Sequence, residues 1–428
     1  MLRRISLQVF LLFFACSLAT AAYAQPAHYP DSQLLDSLLR SSPILAQVLN
    51  HPATYQLQLI YTKIDRDAHN VPHFTQHTYH LNPRQYFNPA SLVKLPTLML
   101  ALEKLHTLPS SVTRSTIMST GTAWRCQTPV PFAASADSDR QATIGNYGKR
   151  MLLVSDNLAY NRLYEFVGQQ TLNDRLRQLG FTGSRIVRRF APCDTAANRH
   201  TNPIAFHTVS GDTLYKQPAQ TNLRTPAPPL GPVYVGQAYK VGNRLIRQPY
   251  EFTTANNLPL LDITAFLQAA LFPESLPTNR HPQLTASDYA FLRQYLQLAP
   301  HASHFADYAS PKYFDAYKKY LYYGRSPTAS PQSGLRIFNI VGMSHGYLAD
   351  VSYFADSLHQ SEFMLSAVLY VNSDGILNDA TYDYDTVGLP FLAQLGQLFY
   401  QYEAKRPRIY HPDLDQFFQS IPQAYPAK

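Results

Sequence analysis

The sequence is short of cysteine, with three in 428 residues, at Cys16, Cys126 and Cys193. None of them has the spacing of a zinc or thiol-redox motif, and no His-Glu-x-x-His occurs among the scattered histidines, so no metal or other cofactor is expected. A basic stripe interleaved with aromatics is also missing. The formal net charge of +8 is spread along the chain, which argues against a nucleic-acid partner and fits a solvated surface. Internal repeats are absent. Only the N-terminus holds a long apolar run, and no other segment has the length to cross a bilayer.

That N-terminus reads as an export signal. Arg3 and Arg4 precede an apolar run over residues 9–18, and Ala22-Tyr23-Ala24 before Gln25 forms a small-x-small cleavage site. The run is too short for a membrane anchor, and Phe13 argues against lipidation of Cys16. The expected division is a signal peptide at 1–24 and one domain at 25–428, with a periplasmic or secreted location and no transmembrane anchor after cleavage. In the mature chain only Cys126 and Cys193 remain. One disulfide and two reduced, buried cysteines are both open readings.

Periodicity supplies the layout. Apolar residues at helical spacing predict a helix over 31–49, and alternation at Tyr55, Leu57, Leu59 and Tyr61 predicts a strand that returns as a hairpin over 73–81. Asn88-Pro89 announces a helix through Leu98, Leu102 and Leu105, with a kink expected at Pro96. Residues 147–180 read as helical, 216–232 as an irregular excursion and 233–252 as β-like. Helices are predicted over 261–272 and 287–298, the second opened by a Thr285–Asp288 capping box. The tyrosine-rich 308–323 piece is expected to pack its rings. Strands follow over 335–341, 347–354 and 363–372, then a helix over 388–404. The class is α+β: an antiparallel sheet flanked by N- and C-terminal helices. A mostly helical subdomain, about 91–330, is inserted between strands in 53–81 and 335–372.

Two short motifs carry chemistry. Ser91-Leu92-Val93-Lys94 puts a hydroxyl and an amine three apart on one helix face. In a dry pocket that amine loses its charge and can take the serine proton. Ser155-Asp156-Asn157 sits downstream. Taken alone it is an N-cap for the helix that opens at Leu158; its place after Ser91 gives it a second meaning, as a proton relay and an amide holder.

The layout and motif order resemble class A β-lactamases and penicillin-binding DD-peptidases, over nearly the whole mature chain. Residues Tyr86 to Lys94 (Tyr-Phe-Asn-Pro-Ala-Ser-Leu-Val-Lys) match the family's nucleophile helix, and Leu153 to Ala159 match its second motif. The resemblance implies acylation of Ser91, activation by Lys94, proton relay by Ser155 and substrate binding by Asn157. The family's third motif, Lys-Thr-Gly, is reduced here to Ile340-Val341-Gly342. On this reading Gly342 lets substrate lie along the strand, and the Met343 amide joins that of Ser91 as oxyanion donor. The carboxylate-gripping lysine is gone, with Ser344 or His345 as stand-ins. The loop where the family keeps its deacylating glutamate, residues 188–195, has none, and Asp194 reads as a solvated turn residue.

The expected function is therefore an exported serine hydrolase acting through a Ser91 acyl-enzyme on a small-molecule or peptide acyl substrate. A β-lactam or a cell-wall-derived peptide would fit, with slow acylation favoured over rapid β-lactam hydrolysis. The alternative is a catalytically weak binding or envelope protein on the same fold.

Overall fold

In the computed structural model, residues 29–134, 138–303 and 305–419 are described. The export signal and Cys16 lie outside them. A five-stranded antiparallel sheet forms the frame. Its strands are β1 (Gln58–Arg66), β2 (Pro72–Tyr79), β3 (Leu335–Ser344), β4 (Tyr347–Asp356) and β5 (Ser361–Tyr370), in the order β3-β4-β5-β1-β2. Every residue of β4 and β5 is buried, because helices cover both sheet faces.

The alternation of strand side chains divides the core in two. Leu59, Tyr61, Val341, Leu348 and Leu365 face α1 (Gln33–Arg40) and the C-terminal helix Leu389–Lys405. Ile60, Ile64, Phe338, Ile340 and Val351 face the helical layer. That layer contains α2 (Lys94–Leu105), α3 (Ile144–Val154), α4 (Asn157–Val167), α5 (Gln169–Gln178), α6 (Leu260–Leu271) and α7 (Ala286–Gln297). Most of α2 is buried all round, as befits a central helix. The two predicted late helices and the capping box on Thr285 and Asp288 are observed. The α+β class with terminal helices is as expected.

Several local details differ from the sequence reading. The N-terminal helix breaks after Arg40, because Pro43 disfavours a helical Ser42 and starts a separate turn. Tyr55 ends a short helical turn, and β1 begins only at Gln58. Pro96 lies in the first turn of α2, where its missing N–H breaks no bond of that helix, so the expected kink has no cause. Lys216 and Gln217 end the strand Thr213–Gln217, in a small sheet with Ile117–Thr120 and Ile204–His207, so the inserted part is less purely helical than expected.

Candidate active site

The nucleophile turn is built from its own side chains. Asn88 Oδ1 accepts the Ala90 N–H at 2.9 Å, and Pro89 O accepts the Leu92 N–H at 2.9 Å. Ala90 is held at φ 43°, an uncommon left-handed value for a residue with a Cβ, immediately before Ser91. Residues Ala90–Val93 form a 3₁₀ turn that leads into α2 at Lys94. Leu92 and Val93 are wholly buried, and they pull the turn down against the sheet. Gly342 on β3 permits this: a Cβ there would come within 2.6 Å of Pro89 O and 3.1 Å of Leu92 Cγ. Its missing side chain thus admits the nucleophile turn itself, a use the sequence reading assigned only to substrate.

The second motif is a hinge between two helices. Ser155 follows α3 in the left-handed region, at φ 60°, and Asp156 then caps α4 by accepting the Ala159 N–H at 3.0 Å. The cap reading of this triplet therefore holds for Asp156. The turn frees Ser155 and Asn157 to meet Lys94. The Lys94 amine lies 2.8 Å from Ser91 Oγ, 2.9 Å from Ser155 Oγ and 2.8 Å from Asn157 Oδ1, and it also reaches the Ser155 carbonyl.

Lys94 is fully buried, and desolvation first, then the charge of Lys318, lower its pKa to about 7; Asp156 opposes them. Four oxygen partners exceed the three protons of an ammonium. The neutral form that burial favours keeps two N–H donors and has a lone pair that can accept from the Ser91 hydroxyl. That is the protonation state a general base needs.

The third motif is only partly rebuilt. Ile340 and Val341 are buried on opposite faces of the sheet, so neither offers a polar group. β3 is an edge strand, and Ser344 and Tyr347 close a two-residue hairpin with β4. Alternation along an antiparallel ladder then turns the Met343 N–H away from β4, towards the open edge beside the nucleophile turn. The expected stand-ins for the missing cation do not supply one. Ser344 Oγ and His345 Nδ1 lie 2.6 Å apart, and burial, then the Arg188 charge, hold His345 below its usual range.

A buried lysine that sequence reasoning missed, Lys318, does bear on the site, because its charge helps to lower the Lys94 pKa. It precedes β3 in the tyrosine-rich segment, its amine is sealed from solvent, and it has no hydrogen-bond partner among the described residues. Burial lowers its pKa to about 7, with Asp350 opposing. Nothing in Lys318-Lys319 distinguishes these lysines from a solvated pair. Only the fold shows them buried, with Lys319 donating to Asn339 Oδ1 at 2.7 Å.

Phe190 was also missed, in the loop searched for a glutamate. Its ring centroid lies 5.3 Å from the Lys94 amine, and its backbone is tied to Asn161 through both its N–H (2.7 Å) and its carbonyl (3.3 Å). Asp194 is exposed, paired with Arg125 and capping Ala197. Cys126 and Cys193 form a disulfide with a Cα–Cα distance of 5.8 Å, which settles the open cysteine reading. Among the described residues no group of three His, Cys, Asp or Glu side chains is placed to hold a metal ion, and no helix is long and apolar enough to cross a membrane.

Residues 61–218 match the model of the β-lactamase enzyme family, a stretch that contains both Ser91 and Ser155. No curated protein matches the sequence. Similar solved structures include a β-lactamase from Sphaerobacter thermophilus DSM 20745 (13% identity, 87% of this chain and 98% of that one, TM-score 0.43). Another is a β-lactamase from Burkholderia phymatum (14%, 86% and 100%, TM-score 0.45). A class A β-lactamase from Mycobacterium abscessus is similar at 12%, over 84% and 98%, with TM-score 0.43. Nothing about this chain's activity follows from these three.

Proposed function

We propose that this β-lactamase-like chain is an exported serine hydrolase or acyltransferase that works through a Ser91 acyl-enzyme on an amide or ester. The observation that carries the reading is the dry Lys94 amine, 2.8 Å from Ser91 Oγ, with its pKa lowered to about 7. The Ser91 proton passes to Lys94 as Oγ attacks the substrate carbonyl. The oxyanion then meets the N–H groups of Ser91 and Met343. Ser155 Oγ, 2.9 Å from Lys94, relays that proton to the leaving group. Asn157 uses Oδ1 on Lys94 and is exposed, so its Nδ2 is the group offered to a substrate amide. A β-lactam or a peptidoglycan-type peptide is the substrate class, and the compartment is the periplasm or the exterior.

Intact mass followed over time, with benzylpenicillin and with a thioester acyl donor, tests this. The expected result is an adduct equal to the whole penicillin that persists, because residues 188–195 carry no glutamate and their one carboxylate, Asp194, is exposed and paired with Arg125. Rapid return to the free mass would instead make the protein an efficient β-lactamase. Failure of both probes to leave an adduct or a product would overturn the reading. It would favour the second one, a binding protein on the same fold, for which the apolar Ile340 and Val341 speak.

Lys318 adds a further expectation. Its amine is sealed from solvent, so it acts on the site through charge alone. Removing that charge in Lys318→Met lets the Lys94 pKa rise, and the acidic limb of the acylation profile moves to higher pH. An unmoved limb would assign Lys318 to packing.

A further inference from the structure

The positive charge of the chain is less evenly spread than the whole sequence suggests. Residues 213–250 hold five basic side chains, Lys216, Arg224, Lys240, Arg244 and Arg247, and no Asp or Glu; Asp212 and Glu251 bound the stretch. The last three of these cations sit on or just beyond a two-stranded hairpin, Ala238–Val241 and Arg244–Ile246. Its tip stands clear of the molecule. Val241 is 61% exposed, and a Cβ on Gly242, at φ 58°, would meet nothing within 4 Å. Among the described residues, none of the three cations takes part in an ion pair.

The root of the hairpin is fixed, and it is fixed beside the nucleophile turn. Ala238 pairs with Ile376, and the Gln237 N–H donates to Gly375 O at 2.9 Å. From there a run of rings leads inward. Tyr239 meets Tyr250 edge-on at 5.1 Å, Tyr250 meets Phe252 at 4.9 Å, and Phe252 meets His345 at 5.3 Å. His345 follows Met343 by two residues, and its Nδ1 lies 3.4 Å from Asn88 Nδ2 in the nucleophile turn. A fixed root and a free, charged tip suit an element that grips something outside the molecule.

The placement of the charges says what is gripped. Side chains alternate along a strand and Lys240 lies opposite Leu245, so Lys240 and Arg244 project from opposite faces of the ribbon, and Arg247 follows three residues on. Charges set apart in this way do not converge on one small anion; they fit an anion that repeats along a polymer. Tyr234, 60% exposed, and the half-buried Tyr239 and Tyr250 add rings with an apolar face and a polar tip, which suit a sugar. Arginine forks match carboxylates. We propose that the hairpin over 238–247 holds an acidic polysaccharide and thereby keeps the nucleophile turn at the polymer. The choice of a polysaccharide over other polyanions rests on the exported location read above; the binding itself needs no acyl-enzyme.

Electrophoresis of the full chain through native gels containing polygalacturonate, at low and at raised salt, tests this. The wild type is expected to be retarded at low salt and released as salt screens the charges. The variant carrying Lys240→Gln, Arg244→Gln and Arg247→Gln binds about tenfold more weakly, the combined effect of three exposed ion pairs of ordinary strength. A control of equal net charge, with Arg40→Gln, Lys312→Gln and Lys405→Gln on other elements, keeps the wild-type affinity. Melting curves confirm that both variants fold. A wild type that is not retarded, an unchanged affinity in the hairpin variant, or an equal loss in the control overturns the proposal, as does tighter binding of a single-stranded oligonucleotide. Acylation of Ser91 by benzylpenicillin is read separately on the same samples, so a failure of polymer binding is distinct from a failure of the acyl-enzyme reading.

Discussion

Ser91→Ala gains no mass from benzylpenicillin at any time, while the wild type, treated alongside, carries the whole inhibitor on that residue. The expectation follows from the turn that presents the hydroxyl. Oγ meets the Lys94 amine at 2.8 Å. Removing it leaves nothing to acylate. The fold should survive, since Ser91 is half-buried and its loss gives up one hydrogen bond, worth about 1 kcal/mol. Melting curves check that part. Labelling that persists in Ser91→Ala would place the nucleophile elsewhere and end the assignment.

Lys94→Met is the second large effect. It keeps the buried length of the side chain and removes the base, so acylation slows by about 10³-fold, within the range of general-base contributions. The wild-type pH profile carries the same information. With the amine held near 7, acylation rises with pH below that value, as the neutral form replaces the charged one, and levels off above it. The sign on stability runs the same way. The folded state releases a proton from Lys94 that the unfolded chain, with the ordinary value of 10.5, still holds between about 7 and 10.5. Within that window the contribution of Lys94 to stability therefore rises with pH. A flat acylation profile through neutrality would mean that a group other than Lys94 takes the proton.

Much of the frame was legible in the chain. Period-two alternation marked β1, and the capping box located α7 to within a residue, because these signals are local and strong. The Ser91 and Ser155 motifs were legible too, since helical spacing and turn chemistry are written in adjacent residues. The errors came where a neighbour outside the window decided the outcome. Pro96 reads as a helix breaker until Lys94 proves to be the first residue of α2. Gly342 reads as a place for substrate until the Pro89 carbonyl fills it. Lys318 and Phe190 carry no spacing signal, because each reaches Lys94 only through the folded arrangement of segments far apart in sequence.

The Cys126–Cys193 bond has a consequence beyond the loop it fastens. It joins positions 67 residues apart, and the closed segment contains α3, α4 and α5, with Ser155, Asn157 and Phe190 among its residues. Closing a ring of that length removes conformational freedom from the denatured chain, on the order of 4 kcal/mol in the chain-entropy description. The catalytic half contributed by this segment is therefore favoured by restricting its unfolded alternatives as well as by its contacts. A chain made under reducing conditions would keep every one of those contacts and lose this restriction, so its helical layer would be the part to open first on heating.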